Sequence, residues 1–197
     1  ILLSRLFPVR QTWSDNMAIA VLNVRLPRIL LACLVGASLS AAGTAYQSVF
    51  RNPMAAPDIL GASSGACFGA ALAILMGLQR FGVTALAFAA SLATVALVYV
   101  VARRIRGNQV VNLLLSGIMI SSLFSAGTSY IKLVADPTNQ LPAITYWLMG
   151  SLSGTRTKDV LLALIPMALG VVPLLALRWR INLLTLSEEE ARSMGVN

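Results

Sequence analysis

Few side chains in this sequence are equipped for covalent chemistry. It contains no histidine, the commonest general base and metal ligand. Its two cysteines, Cys33 and Cys67, each stand inside an apolar stretch, with no spacing that suggests a zinc site or a disulfide framework. No phosphate-binding G-x-x-x-x-G-K-[ST] run occurs, and the only lysines are Lys132 and Lys158. What the sequence offers instead is polar groups set on apolar ground. Gly117, Ser121, Ser125, Thr128 or Ser129, and Lys132 recur at helical spacing. Such a stripe lines a wet passage, or else its hydroxyls bond their own or a neighbouring helix. Gly61, Gly65, Gly69, Ala73 and Gly77 recur every fourth residue, a face that lets another helix backbone come close.

Two charged features stand at the ends of the apolar region. Arg25 and Arg28 bracket Leu-Pro just before a long uncharged run. They read either as headgroup anchors or as exposed charges that steer a partner and fix its register. Near the other end, Ser187 is a good N-cap and Glu190, three residues on, completes a capping box. Glu188 and Glu189 oppose the positive end of the helix dipole, and Gly195 is a natural stop. This short capped helix, which also holds Ala191 and Arg192, reads equally as a docking element or as a tidy loop.

The elements that position these groups are membrane helices. Of 197 residues, 57% are hydrophobic and only 11% charged, where soluble domains carry about 25% charge. Mean hydropathy is +0.80. This composition excludes a disordered chain, a nucleic-acid-binding domain and an ordinary soluble enzyme. The net charge of +8 comes from basic residues in short clusters between apolar runs, where lipid headgroups account for them.

A crossing needs roughly 20 mainly apolar residues. Five stretches are predicted to cross, over residues 29–49, 59–79, 81–102, 113–135 and 160–177, the last kinked by Pro166 and Pro173. Between the fourth and fifth, residues 141–150 are apolar but too short, and Tyr146 and Trp147 suit a membrane-surface position. The positive charges divide almost evenly between the two ends of these spans, so their count does not orient the chain. The expected layout is a lead-in over 1–28, a bundle over 29–177 and an extramembrane region over 178–197.

The residues also carry a resemblance. Arg25-Leu-Pro-Arg28, Val35-Gly-Ala-Ser38, Phe50-Arg-Asn-Pro-Met54, Pro57-Asp-Ile-Leu-Gly-Ala-Ser-Ser-Gly65, Tyr146-Trp-Leu-Met-Gly-Ser-Leu-Ser-Gly154 and the segment from Ile181 to Val196 occur in that order. Together they resemble the FecCD-type permeases, the membrane subunits of ABC importers for iron–siderophore complexes, haem and cobalamin. The resemblance implies an all-α, polytopic transmembrane bundle of the type II, cobalamin-importer-like kind, of which this chain is the N-terminal part. It implies a multi-pass protein of a bacterial or archaeal inner or plasma membrane, surrounded by lipid. It also implies a second permease subunit forming a homodimer, separate ATPase subunits, and an extracytoplasmic substrate-binding protein, with no nucleic acid and no bound cofactor.

Site roles follow from the same resemblance. Arg25 and Arg28 would face outward and dock the binding protein. Ser187, Glu188, Glu189, Glu190, Ala191, Arg192 and Gly195 would form the coupling helix seated in the ATPase. Gly117, Ser121, Ser125, Thr128 and Ser129 would line the pathway, with Asn52, Met54, Val110 and Val111 in the gate region. The two valines stand where the cobalamin importer has small hydroxyl residues, a departure that leaves the gate chemistry open; an apolar constriction could close by excluding water. Gly61, Gly65 and Gly69 would serve helix packing. The implied function is import of an iron chelate, ferric siderophore first, with haem or cobalamin as alternatives. A membrane enzyme would need polar catalytic groups converging at one depth, and none is found. A non-transporting scaffold is the remaining rival.

Overall fold

The computed structural model describes residues 13–183 and Thr185. Residues 1–12 and the expected coupling helix, Ser187 to Gly195, lie outside the described residues. All regular structure among the described residues is helical: α1 (Asp15–Ile19), a π-helical segment (Ala20–Arg25), α2 (Leu26–Phe50), α3 (Ala62–Leu75), α4 (Arg80–Arg104), α5 (Gln109–Val134), α6 (Gln140–Met149), α7 (Thr157–Ala176) and α8 (Arg178–Leu183). They form two compact units. One contains residues up to Pro53 together with those from Ser151 onward; the other is Met54–Gly150.

In the first unit, α1, the π segment and α2 run on as one helical stretch, Asp15–Phe50, 36 residues long. Within the expected lead-in over 1–28 the chain is helical from Asp15, and Arg25 and Arg28 both stand on that helical stretch. Pro27 explains the π segment. It has no N–H to donate to the Asn23 carbonyl, and its ring crowds that turn. The chain widens just before it, and Leu26 N–H donates to Val21 O, five residues back. α2 packs along α7. The α7 start is held by Asp159, whose carboxylate accepts from Arg156 N at 2.9 Å. Pro166 and Pro173 lie inside α7.

The second unit is organised by α3, which packs on α4, α5 and α6. Its small residues are the reason: Gly65, Gly69, Ala70, Ala71 and Ala73 are all buried. One apolar cluster joins Ala70 and Ala73 to Val83 and Ala87 of α4. Another joins Ala71 to Ile131, Ala135 and Ile144, bringing in α5 and α6. Ile144 thus anchors α6, while Tyr146 and Met149 on the same helix are exposed.

Among the described residues, four helical stretches have the length and hydropathy to cross a membrane: Asp15–Phe50, α4, α5 and α7. The fifth expected crossing, over 59–79, is realised as the 14-residue α3. At 1.5 Å per residue that is about 21 Å, short of the ~30 Å hydrocarbon core. Both glycines at its ends are the cause. Gly61 (φ 72°) and Gly77 (φ 71°) adopt left-handed backbone, and at the second end Leu78 N reaches back to Ala73 O at 2.9 Å in a Schellman turn. Hydropathy registers apolar residues, and these two glycines stop the helix without changing it.

The exposed faces are apolar. On α7, Leu161, Ile165, Leu169 and Val172 recur at helical spacing and are all more than half exposed. A surface of this kind belongs in lipid or against further helices, not in water.

Candidate functional site

Packing fixes where the polar stripe of α5 can point. Gly117 lies under the Ile59 carbonyl, so that a Cβ there would strike it, and Gly127 lies against the Phe68 ring. Phe68 in turn meets Phe124 edge-on, with centroids 5.3 Å apart. These contacts turn one side of α5 to α3.

The hydroxyls then divide into two sets. Thr128 is buried and donates to Phe124 O at 2.9 Å. Ser129 donates to Ser125 O at 3.0 Å and Ser122 to Ile118 O at 2.9 Å. Each of these bonds returns to the helix's own backbone. Ser121 and Ser125 make no such bond among the described residues. Both line an open groove of about 500 Å³, shared with Ser122, Ile118, Ile59, Ser64 and Asp58. Asp58 and Ser64 are not on the helical stripe, and spacing on α5 could not reveal them. Asp58 is exposed, and its Oδ1 accepts from Ser63 N at 3.0 Å, tying the carboxylate to the first turn of α3. Lys132 is half-buried in the last turn of α5.

The face of α3 with glycine every fourth residue meets α4. A Cβ on Gly65 would collide with Thr94 and stand 3.0 Å from Ala90 O; one on Gly69 would stand 2.5 Å from the Ala90 Cβ. Gly61 abuts the Ser121 hydroxyl and lies 3.5 Å from Thr94 by the same measure. Thr94 is fully buried and donates to Ala90 O at 2.7 Å. Ser116, on α5, is 2% exposed, and its hydroxyl has no partner among the described residues.

The arginines are not alike. Both are exposed, but Arg28 donates through Nη2 to Ser153 O at 2.9 Å, holding the loop before α7. Arg25, one turn earlier at the end of the π segment, makes no such bond among the described residues.

The four gate-region residues occupy two kinds of turn. Asn52 follows the left-handed Arg51 (φ 47°) that ends α2, and its N–H donates to Gln47 O at 3.2 Å. Met54 is 85% exposed. Val110 and Val111 form the first turn of α5, where the Asn108 side chain accepts from both amides, at 2.9 and 3.3 Å. Val111 is exposed and Val110 half-buried.

One more charged turn lies between α5 and α6. Asp136 Oδ2 accepts from the Thr138 hydroxyl at 2.7 Å and from Asn139 N at 2.8 Å. The Thr138 bond chiefly, then the Asn139 amide, holds this carboxyl below the usual aspartate range. Gln140 closes the turn by accepting from Asp136 N and donating to Leu75 O, at 3.1 and 3.2 Å. Among the described residues no group of three or more Cys, Asp or Glu could hold a metal ion.

The family model described as "FecCD transport family" matches residues 2–197. A Helicobacter pylori protein named "Probable iron chelatin transport system permease protein" is 45% identical over 183 residues, 93% of this chain and 55% of that one. A Haemophilus influenzae molybdate import system permease is 39% identical over 176 residues, 89% of this chain and 52% of that one. The chain thus spans about half the length of the curated relatives it matches. A solved structure of a metal-chelate type ABC transporter in an inward-facing conformation aligns with a TM-score of 0.85 and 37% identity, covering 97% of this chain and 60% of the other.

Proposed function

Because the chain belongs to the FecCD transport family, we propose that it forms part of the membrane permease of an ATP-driven importer for iron chelates, with a ferric siderophore as its cargo. The permease itself carries no catalysis; a separate ATPase subunit hydrolyses ATP, and an extracytoplasmic binding protein delivers the chelate. A second permease subunit completes the route, and the assembly sits in the inner or plasma membrane.

One observation carries this reading beyond family membership. On α5, otherwise apolar, Ser121 and Ser125 keep their hydroxyls free of backbone bonds and present them to an open groove. A passage must bind its cargo weakly enough to let it leave, and a few hydroxyls supply weak, replaceable contacts. Arg25 and Arg28 serve as the docking charges, which set encounter rate and register more than strength. The segment Ser187–Gly195 serves as the coupling helix, passing a rigid push from the ATPase to the bundle. Val110 and Val111 at the start of α5, with Asn52 and Met54, serve as the gate.

The similarity to a molybdate permease supports a second reading, in which the cargo is an oxyanion. Reconstitution separates the two. The complete permease, with its ATPase and binding protein in proteoliposomes, is expected to take up a radioiron-labelled ferric trihydroxamate on addition of ATP, and to lose uptake on Glu190→Arg. Uptake of radiolabelled molybdate instead would replace the cargo, and ATP-independent or absent uptake of both would reject the permease reading.

A further inference from the structure

Among the described residues the groove on α5 holds one full charge, and its sign is wrong for an oxyanion. Asp58 lies on its rim, exposed, together with the Ser64, Ser121 and Ser125 hydroxyls, none of which bonds another protein group among the described residues. The carboxylate is not loose. Its Oδ1 accepts from Ser63 N, and the Gly61 N–H bonds back to the Asp58 carbonyl at 2.8 Å, so the turn before α3 fixes where the charge stands. Its Oδ2 has no protein partner among the described residues. Ile59 and Ile118 supply the apolar part of the same wall. The irregular chain before α3 needs water or protein for its backbone polar groups, and a carboxylate is stable at such a place only where water reaches it.

We infer that Asp58 is a specificity-determining residue: it selects by charge among the chelates that enter the groove, favouring hydroxyl-rich neutral or cationic complexes and disfavouring anionic ones. This rests on the permease reading and deepens it. Seryl hydroxyls are neutral and serve as donor or acceptor, so they accept a chelate of any charge. The sign of the preference comes from the one carboxylate. Anionic cargo approaching it meets repulsion; a cationic end group meets attraction. Across a few ångströms of water a unit charge alters occupancy about fivefold.

The test uses the complete importer in proteoliposomes and three radioiron trihydroxamates that differ only in a neutral, amino or carboxylate end group. The measured quantity is the ratio of cationic to anionic uptake in each variant divided by that of the wild type, which cancels whatever the binding protein prefers. Asp58→Asn keeps the oxygen that accepts from Ser63 N and removes the charge; because the cationic and anionic chelates each shift about fivefold in opposite directions, it is expected to lower the ratio about 25-fold. Asp58→Cys in a background lacking Cys33 and Cys67 allows the charge to be set after folding. A negatively charged thiosulfonate should restore the ratio, and a positively charged one should reverse it. Uptake that stays ATP-dependent with an unchanged ratio in Asp58→Asn and in both labelled forms overturns this inference and leaves the permease standing. If the wild-type importer takes up none of the three chelates, the iron-chelate reading fails, and the inference with it.

Discussion

The Arg28 guanidinium is bonded to the Ser153 carbonyl at 2.9 Å, across 125 residues of sequence. One of the two candidate docking arginines is therefore already employed in holding the loop that leads into α7. The pair divides into a charge that is free among the described residues, Arg25, and a charge that also shapes the surface. Arg28→Ala is expected to raise amide exchange over residues 151–156 in lipid nanodiscs, whereas Arg25→Ala leaves that loop unchanged. Reversal of Arg25 to Glu should slow binding-protein association by about tenfold at low salt, with the difference shrinking as salt rises. Equal exchange in both variants would show that the Ser153 bond holds nothing.

Contact between α3 and α4 is backbone-close at Gly65. Gly65→Ala places a methyl against Thr94 and Ala90 O, and overpacking of this kind costs about 1–3 kcal/mol. Thr94→Ala in the same chain should recover only part of that loss, because it removes the hydroxyl contact but leaves the residue-94 Cβ at 2.7 Å and the Ala90 carbonyl at 3.0 Å from the new methyl. Reversible unfolding in mixed micelles measures both, and a Gly65→Ala midpoint equal to wild type would refute the close approach.

Ser116 tests the opposite situation. Its buried hydroxyl lacks a partner among the described residues, a state that costs about 1–3 kcal/mol. Ser116→Ala removes the unmet polar group and only one atom of volume, so it is expected to be neutral or to stabilise the fold. A loss of more than about 1 kcal/mol in the same unfolding assay would reveal a bond partner for this hydroxyl.

Asp136 gives a pH signature. Hydrogen bonds from Thr138 and Asn139 favour its charged form, so its pKa in the folded chain lies below the unfolded value. The contribution of this turn is then fully present above the unfolded pKa and is lost as pH falls through the lower folded one. Carbon NMR of the carboxyl should record titration below the usual aspartate range. Thr138→Ala should move it upward, since the largest cause is removed. A midpoint that Thr138→Ala leaves in place would sink this assignment.

Much of the architecture is legible in the residues themselves. Uncharged runs of helical length announce α2, α4, α5 and α7, because lipid tolerates little else. The order of short motifs points to the family before any coordinate is known. The α3 boundaries are less legible. Gly61 and Gly77 stop that helix by adopting left-handed backbone, but in the sequence they are two more members of a row of small residues. The hydroxyl stripe shows the same limit from another side. Spacing puts Ser121, Ser125, Thr128 and Ser129 together, but only geometry separates those bonded to their own helix from those facing the groove. Asp58 is not legible from spacing, because it belongs to a turn before α3 and comes to α5 only through tertiary packing. The helix that runs from Asp15 into α2 is also hard to read, because Arg25, Pro27 and Arg28 interrupt the apolar pattern.

That widening has a consequence for the angular phase of the long helix. Each residue turns an α-helix by about 100°, and a π bulge is equivalent to one residue inserted into the spiral. Relative to an unbroken spiral, Ser14 to Ile19 are swung by roughly that angle about the axis. The two portions of this rod therefore present independently set azimuths. Arg28 is indexed to α2, whereas the chain that precedes the π segment answers to a different clock.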